Sequence, residues 1–397
     1  MYAGVAIVGG GIMGAWAALE ACRGADPLRE PAVLFEGTGS HELDAADSGL
    51  ISEAFVPAAL RNLARVGVRE AASFETNTGR QVQFGWSGAL VLGSEDVDVR
   101  LAQLLARRVE AVVVEGAGLT RKVYGVAAEE AERGIWVPQV GHVDVKTYLA
   151  ELLGLARTRG AITRFGTEVT AIRVRGGRVV GLETSRGFCE TKRVVVAAST
   201  CVPLVEEAAG LSLGLVGRTV GSCKFHSPLV VEEAGIGEGS AGDLGDALLD
   251  PSKVESFFGP GEAPTYAHAA VVDLVRGVEI CCEPALGTVA VRGISAHGLL
   301  GCGAELVADP SALVLARLPF HKGGLQASGA LEQRLVWTRK SGLPIVGAVP
   351  GVEGLFVAVG LGERGVELAP GLAEGLCQGM EGRGVAAFDA RLLGVNP

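Results

Sequence analysis

An α/β fold in two domains is what the sequence predicts, and three observations carry that expectation. An apolar run near the N-terminus enters a glycine-rich loop and a helix of small residues, and a second apolar run near the C-terminus enters a second glycine loop and helix. Between them lie alternating stretches punctuated by turns, which suit antiparallel strands better than a parallel sheet. At 397 residues the chain also exceeds one ordinary core, so two domains, or one interleaved pair, are expected.

Ala6 to Val8 form an apolar run fit for a buried parallel strand, and Ala15 to Ala21 read as a helix. Gly9-Gly10-Gly11-Ile12-Met13-Gly14 therefore lies at a strand-to-helix turn. In the pattern G-x-G-x-x-G, Gly9 allows the tight turn, Gly11 lets the backbone approach a pyrophosphate, and Gly14 lets helix and strand pack closely. The phosphates then meet a helix N-terminus, where free N–H groups and the dipole favour negative charge. A second strand, Ala32 to Phe35, ends at Glu36, 22 positions after Gly14. A carboxylate there accepts hydrogen bonds from a ribose diol and disfavours the 2′-phosphate of NADP. With 59 glycines in the chain the triplet alone is weak, but strand, helix and acid together favour a nucleotide over an empty structural turn.

Hydrophobic residues make up 48% and charged residues 20%, a balance that suits a well-buried α/β protein and argues against disorder. A net charge of −10, with no Lys/Arg run, disfavours nucleic acid and anionic membrane surfaces as partners. The chain enters its first strand without a basic n-region, a long apolar segment or a cleavage site. No stretch reaches about 18 uninterrupted apolar residues. Neither a secretory signal nor a membrane span is expected, and a cytoplasmic location is. The eight cysteines form no C-x-x-C pair and read as reduced core thiols. Cys281 and Cys282, adjacent on a strand, point to opposite faces and would pair only with backbone strain. The six histidines show neither H-x-H nor H-E-x-x-H spacing, so no metal site is expected.

Asp44 to Phe55, with Ser48-Gly49, reads as a polar loop running past a ligand at the carboxyl edge of the sheet. Residues 86–109 give a strand, a turn and a helix from near Ser94, with Asp96 in its first turn and Arg107-Arg108 in its last; a new unit is expected to begin here. A helix is expected from about Val145 to Thr158, with Leu149, Leu152, Leu153 and Ala156 along one face and a glycine at its C-cap. The Gly176-Gly177 turn and its alternating flanks predict an antiparallel meander that returns to the parallel sheet at Val194 to Ala198. Residues 233–265, rich in Gly, Pro and acids, read as an irregular excursion, either a lid or a solvated insertion.

The second motif is "LFVAVGLGERGVELAPG". Leu355 to Val359 form a buried strand that enters a loop with Gly360, Gly362 and Gly365, and Ala369-Pro370-Gly371 lies in the first turns of the next helix. Its backbone N–H groups are available to a ring carbonyl or to a negatively charged ring. Here the chain resembles the D-amino-acid oxidase-like flavoprotein family, which includes glycine and sarcosine oxidases and related dehydrogenases. The matching pieces are "VGGGIMG" with Glu36, the Ser48-Gly49 loop, "GHVD" before a helix, "RVVVAAS" after the meander, and "GLPIVG…GLGERGVELAPG"; they span nearly the whole chain in the family's order.

The resemblance implies a Rossmann-like FAD-binding domain in three segments, residues 1–85, 139–222 and 326–397. It is interleaved with a mixed-sheet α+β substrate domain, residues 86–138 and 223–325. It further implies that Gly9, Gly11 and Gly14 hold the pyrophosphate, Glu36 the adenosine ribose, Ser48 and Gly49 the flavin side, and Val169 the adenine by its backbone. Ala198 belongs to the same cofactor-binding set, and Gly360, Gly362, Gly365 and Ala369 line the isoalloxazine. Three departures stand out. Arg339-Lys340-Ser341 replaces the Thr-Pro-Asp of many members, "ICCEP" puts Cys281 and Glu283 where many have Tyr and Arg, and Leu361 replaces a frequent His.

The implied chemistry is oxidation of a C–N bond by hydride transfer to flavin N5, with an amino acid or amine as substrate and O₂ or another electron acceptor. Arg364, Arg339 and Lys340 are candidate positive charges near the flavin or a substrate carboxylate, and Glu283 is a candidate partner for a cationic amine. Trp337 either walls the substrate pocket or belongs to the core. Two other readings stay open: a flavin-dependent 2-hydroxy-acid dehydrogenase, and a partner-dependent subunit of a hetero-oligomeric oxidase. Self-association is compatible with the sequence.

Overall fold

The computed structural model describes residues 1–23, 28–37, 49–82, 84–93, 97–116, 118–119, 123, 126–127, 132–226, 269–274, 278–283, 288–293, 310–318, 326–327 and 332–382. The chain divides into two compact units, Met1–Phe84, Val143–Gly217 and Val336–Pro397 in one, Gly85–His142 and Arg218–Leu335 in the other.

The first unit is built on a six-stranded sheet. Its strands run in the order Ile345–Ala348, Leu355–Val359, Val194–Val196, Val5–Val8, Ala32–Phe35, Ile162–Arg164. All neighbours are parallel except the Ile345–Ala348 edge. The central strands are uninterrupted Val, Ile, Leu, Ala and Phe because both faces are covered. Alternation along each strand feeds two cores. Val5, Ile7, Ala32, Leu34 and Val195 join helices Ile12–Ala21, Arg61–Thr78, Val145–Thr158 and Gly365–Met380. Ala6, Val8, Val33, Phe35, Val194 and Val196 join the meander and helix Val202–Ala209 on the other face.

Helix Val145–Thr158 has the predicted bounds. Asp144 caps it by accepting from the N–H groups of Lys146 (2.9 Å) and Thr147 (3.4 Å), and Leu149, Leu152, Leu153 and Ala156 are buried. Helix Arg61–Thr78 ends at Gly79, which takes a left-handed φ of 69°. Strands Val169–Arg175 and Arg178–Thr184 pair antiparallel about Gly176 and Gly177, whose φ angles of 58° and 74° suit a tight hairpin turn. The returning strand is shorter than predicted, Val194–Val196, because the chain turns at Ala198 into the 3₁₀ turn Ser199–Cys201.

The second unit carries a larger sheet, in which Ala270–Asp273 runs parallel to Ala89–Leu92 and antiparallel to Val278–Glu283. Arg317, at the end of helix Pro310–Arg317, ties that helix to the sheet. Its Nε lies 2.7 Å from Asp273 Oδ2 and its Nη1 2.9 Å from Glu132 Oε2, all with little exposure. The helix expected from Ser94 runs over Val97–Ala106, with Asp98 in its first turn. Arg107 and Arg108 lie beyond its end, and Arg108 takes a left-handed φ of 60° that stops the helix without a glycine. Ser94 and Asp96, Ser48, and the 233–265 excursion lie outside the described residues.

Candidate functional site

Strands Val5–Val8, Val194–Val196 and Leu355–Val359 run parallel, so their carboxyl ends open on one edge of the sheet, where crevices form in such folds. Three loops meet there. Gly9, with φ of 112°, follows the first strand, and a Cβ on it would lie 2.5 Å from the Cβ of Ala198. Gly14 sits where a Cβ would overlap the Gly9 carbonyl oxygen. Packing therefore demands glycine at both positions. Gly11 differs, because a Cβ there would meet nothing within 4 Å. It is also the N-cap of helix Ile12–Ala21 and provides no side-chain cap.

Glu36 closes over the same loop, its Oε2 accepting from the Gly10 N–H at 2.6 Å. Its backbone bonds to Arg164 and Thr167, with Glu36 N donating to Arg164 O (3.0 Å) and Thr167 N to Glu36 O (2.8 Å). That stitch brings buried Val169, the first residue of its strand, within two residues of the acid's partner.

The second glycine loop is tied to the returning strand: the Gly360 N–H donates to Ser199 Oγ at 3.2 Å. Gly360 and Gly362 both hold positive φ, 77° and 67°. Gly365 opens helix Gly365–Met380, whose N-cap Arg364 makes no side-chain cap. Arg364 instead reaches the segment after Gly49. Its Nη1 donates to Leu50 O at 3.4 Å, its guanidinium stands 5.4 Å from the Phe55 ring centre, and its Nε is 3.9 Å from Glu367 Oε1. Gly49, with φ of 78°, accepts from Val143 N at 3.0 Å.

The structure thus brings Gly9, Gly14, Glu36 and Ala198 together on the first loop by direct contacts, joins Gly360 to Ser199 next to Ala198, and joins Arg364 to Leu50 next to Gly49; Gly11 lies in the first loop, and Gly362 and Gly365 in the second. Ala369 lies one turn into its helix, fully buried among apolar side chains. Arg339 is half-buried in the turn closed by Gly342 N to Arg339 O (3.0 Å), and burial pushes its guanidinium below the usual range. Lys340 is exposed. Glu283 ends strand Val278–Glu283 of the second unit, opposite Thr288, and its side chain lies outside the described residues.

Three participants escaped sequence reasoning: the Gly10 N–H, Ser199 and Thr338. Ser199 ends the matching "RVVVAAS" stretch, but nothing in it singles out the hydroxyl, and a threonine ending a strand carries no distinguishing pattern. Thr338 Oγ1 and Trp337 Nε1 are buried without a hydrogen-bond partner. Among the described residues no group of three His, Cys, Asp or Glu could hold a metal ion, and no helix is long and apolar enough to cross a membrane.

Solved structures share this architecture. Glycine oxidase from Geobacillus kaustophilus superposes with a TM-score of 0.76 at 19% identity, covering 100% of this chain and 98% of that one. L-amino acid deaminase from Proteus myxofaciens, in complex with anthranilate, gives 0.75 at 15% identity over 99% and 93%. L-proline dehydrogenase from P. horikoshii gives 0.73 at 16% over 97% and 96%. At such identities the likeness concerns the fold. A D-amino acid dehydrogenase from Cereibacter sphaeroides is 44% identical over 62 residues, which is 16% of this chain and 14% of that protein. One from Sinorhizobium medicae is 36% identical over 80 residues, 20% of this chain and 19% of that protein. The FAD dependent oxidoreductase (DAO) family pattern matches residues 4–227, more than half of the chain, from the first glycine loop through the meander to the returning strand and beyond, and this chain belongs to that family.

Proposed function

We propose that this chain binds FAD along the carboxyl edge of its six-stranded sheet and uses it to oxidise the C–N bond of an amino acid or related amine. The observation that carries the reading is the meeting of two glycine loops, each opening a helix, at the ends of parallel strands of one sheet, joined through Ser199. The residues present fit the cofactor. Open space before Gly11 admits a pyrophosphate to an uncapped helix N-terminus, and a carboxylate stands on the loop for the ribose. At the second loop the buried, unpartnered Thr338 hydroxyl leaves a polar atom for a ligand to satisfy.

In this reading Gly9, Gly11 and Gly14 carry the pyrophosphate, Glu36 the ribose and the Val169 backbone the adenine. Ala198 belongs to the same cofactor-binding set, Ser48 and Gly49 are assigned to the flavin side, and Gly360, Gly362 and Gly365 line the ring. Ala369 supports the second helix from within the core. Held there, FAD would supply the acceptor for a hydride from the carbon bearing a neutral amine, so that the substrate would become an imine open to hydrolysis by water. Arg364 and Arg339 add fixed positive charge at the second loop, where a negative ring or a carboxylate is stabilised, while exposed Lys340 contributes less. Glu283 is assigned to a cationic amine. An amine-bearing substrate is supported by the proteins this chain resembles, named glycine oxidase, L-amino acid deaminase, L-proline dehydrogenase and D-amino acid dehydrogenase.

An absorbance spectrum of the purified protein, taken before and after anaerobic addition of mixed amino acids and N-methyl amino acids, tests this. Flavin bands that bleach with the pool are expected. Bleaching only by 2-hydroxy acids sinks the C–N assignment, and a colourless protein that cannot be reconstituted with FAD sinks the cofactor site.

A further inference from the structure

We propose that Thr338 donates a hydrogen bond to the isoalloxazine ring of FAD and so helps hold the ring and stabilise it when reduced. The inference rests on the flavin reading above and adds a side chain that neither the glycine pattern nor the family resemblance singles out.

Thr338 is 5% exposed, and its Oγ1 is buried without any hydrogen-bond partner. A hydroxyl left so loses its hydration with nothing in return, and native proteins rarely keep such a group unless a ligand or water completes it. Its place is specific. It ends strand Glu332–Thr338, and its Cγ2 would lie 3.2 Å from a Cβ on Gly362, so the side chain packs directly on the second glycine loop. Gly362 holds a φ of 67°, and Gly360 beside it is fixed by Ser199. Packing of the Thr338 methyl on this loop fixes the side chain, and with it the direction in which the hydroxyl finds an acceptor.

The chemistry of the ring answers that need. Isoalloxazine presents two carbonyl oxygens and two unprotonated ring nitrogens as acceptors, and it gains negative charge on reduction. A hydroxyl proton aimed at that edge binds the oxidised ring and binds the reduced ring more tightly. Trp337, the other residue with an unpartnered buried N–H, precedes Thr338 on the same strand. Successive strand residues point to opposite faces, so the two orphaned groups do not serve the same ring edge.

The test uses the full chain stripped of flavin and retitrated with FAD, comparing wild type with Thr338→Val, which keeps the shape and removes the hydroxyl, and with Thr338→Ser, which keeps the hydroxyl. The expected result for Thr338→Val is FAD binding weaker by about three- to tenfold, the range of one neutral hydrogen bond. A shifted visible flavin band and a more negative midpoint potential accompany it, while the apo-protein melts at or above the wild-type temperature. Thr338→Ser restores binding, band and potential. If Thr338→Val does not fold, Thr338→Ala against Thr338→Ser provides the same comparison. An unchanged dissociation constant, spectrum and potential in a folded hydroxyl-less variant overturns the inference alone. Failure of the wild-type apo-protein to bind FAD overturns the flavin reading and this inference with it.

Discussion

Adding one methyl group at each of two positions in the first glycine loop separates binding from folding. Gly11 has φ of −71° and ψ of −176°, an ordinary backbone for alanine, and a Cβ there meets nothing within 4 Å. Gly11→Ala should therefore leave the apo-protein's melting temperature nearly unchanged, losing at most the roughly 1 kcal/mol by which alanine is the poorer N-cap. The same methyl occupies the space through which a pyrophosphate approaches the helix. Displacing even one charge-assisted hydrogen bond costs about 1.5–3 kcal/mol, which is about 10- to 150-fold in Kd. At Gly14 the methyl meets the Gly9 carbonyl instead, backbone against backbone with no flexible side chain to yield. Overpacking of that kind costs about 1–3 kcal/mol or more, against about 1 kcal/mol gained in helix propensity. Thermal unfolding of both apo-variants beside fluorescence titration with FAD reads the two effects. Gly11→Ala should lose affinity while keeping stability, whereas Gly14→Ala should lose both. A Gly11→Ala protein that binds FAD like the wild type, or melts as early as Gly14→Ala, refutes the reasoning.

Burial, reinforced by Glu374 and Glu70 and opposed by Arg23 at 3.2 Å, pushes the Glu20 carboxyl from 4.5 up to about 7. Stability present below pH 4.5 is thus lost as pH rises through 7, so Glu20→Gln should match wild type at pH 4 and exceed it by up to about 3 kcal/mol at pH 8, by denaturant titration at both pH values. Gly67→Ala, whose Cβ would overlap the Glu367 carbonyl, should force helices Arg61–Thr78 and Gly365–Met380 apart and lower the apo melting point, at a cost of about 1–3 kcal/mol; an unchanged melting point shows that the crossing yields. Arg317→Met removes the cation that buried Asp273 and partly buried Glu132 face and should destabilise the second unit, by up to about 3–5 kcal/mol, read as faster limited proteolysis within residues 85–142 and 218–335.

What the sequence made legible shares one physical trait: the determinant is local. Helix Val145–Thr158 is specified by Asp144 at one end and a repeating apolar face along it, all within its own span. The hairpin at Gly176-Gly177 is set by two residues free to take positive φ. Strands Val5–Val8, Ala32–Phe35 and Leu355–Val359 are legible because a strand buried on both faces has little room for polar residues. Where the determinant was remote, the reading slipped. The helix expected to carry Arg107 and Arg108 in its last turn ends at Ala106, because Arg108 takes a left-handed φ that its own sequence does not announce. Ser199 matters because the chain returns it to Gly360, 161 residues away, and no spacing encodes that approach.

Charge is the hardest quantity to read from sequence, and Arg364 shows why. As a cation in a glycine loop it is a natural choice for a substrate carboxylate. Folded, it spends its donors and its flat face on Leu50, Phe55 and Glu367, joining the segment after Gly49 to the second glycine loop. A guanidinium has five donors and never loses its charge, so this structural tie still leaves positive potential at the loop. Its two tasks can be separated experimentally. Arg364→Lys keeps the charge but cannot reproduce the planar contact with Phe55 together with the Leu50 bond, whereas Arg364→Met keeps much of the apolar contact and removes the charge. If the residue acts mainly as a tie, both variants lower the apo melting point, and the lysine restores little. If its charge is what the ligand feels, the lysine retains FAD affinity that the methionine loses, and loss of affinity then tracks charge rather than melting temperature.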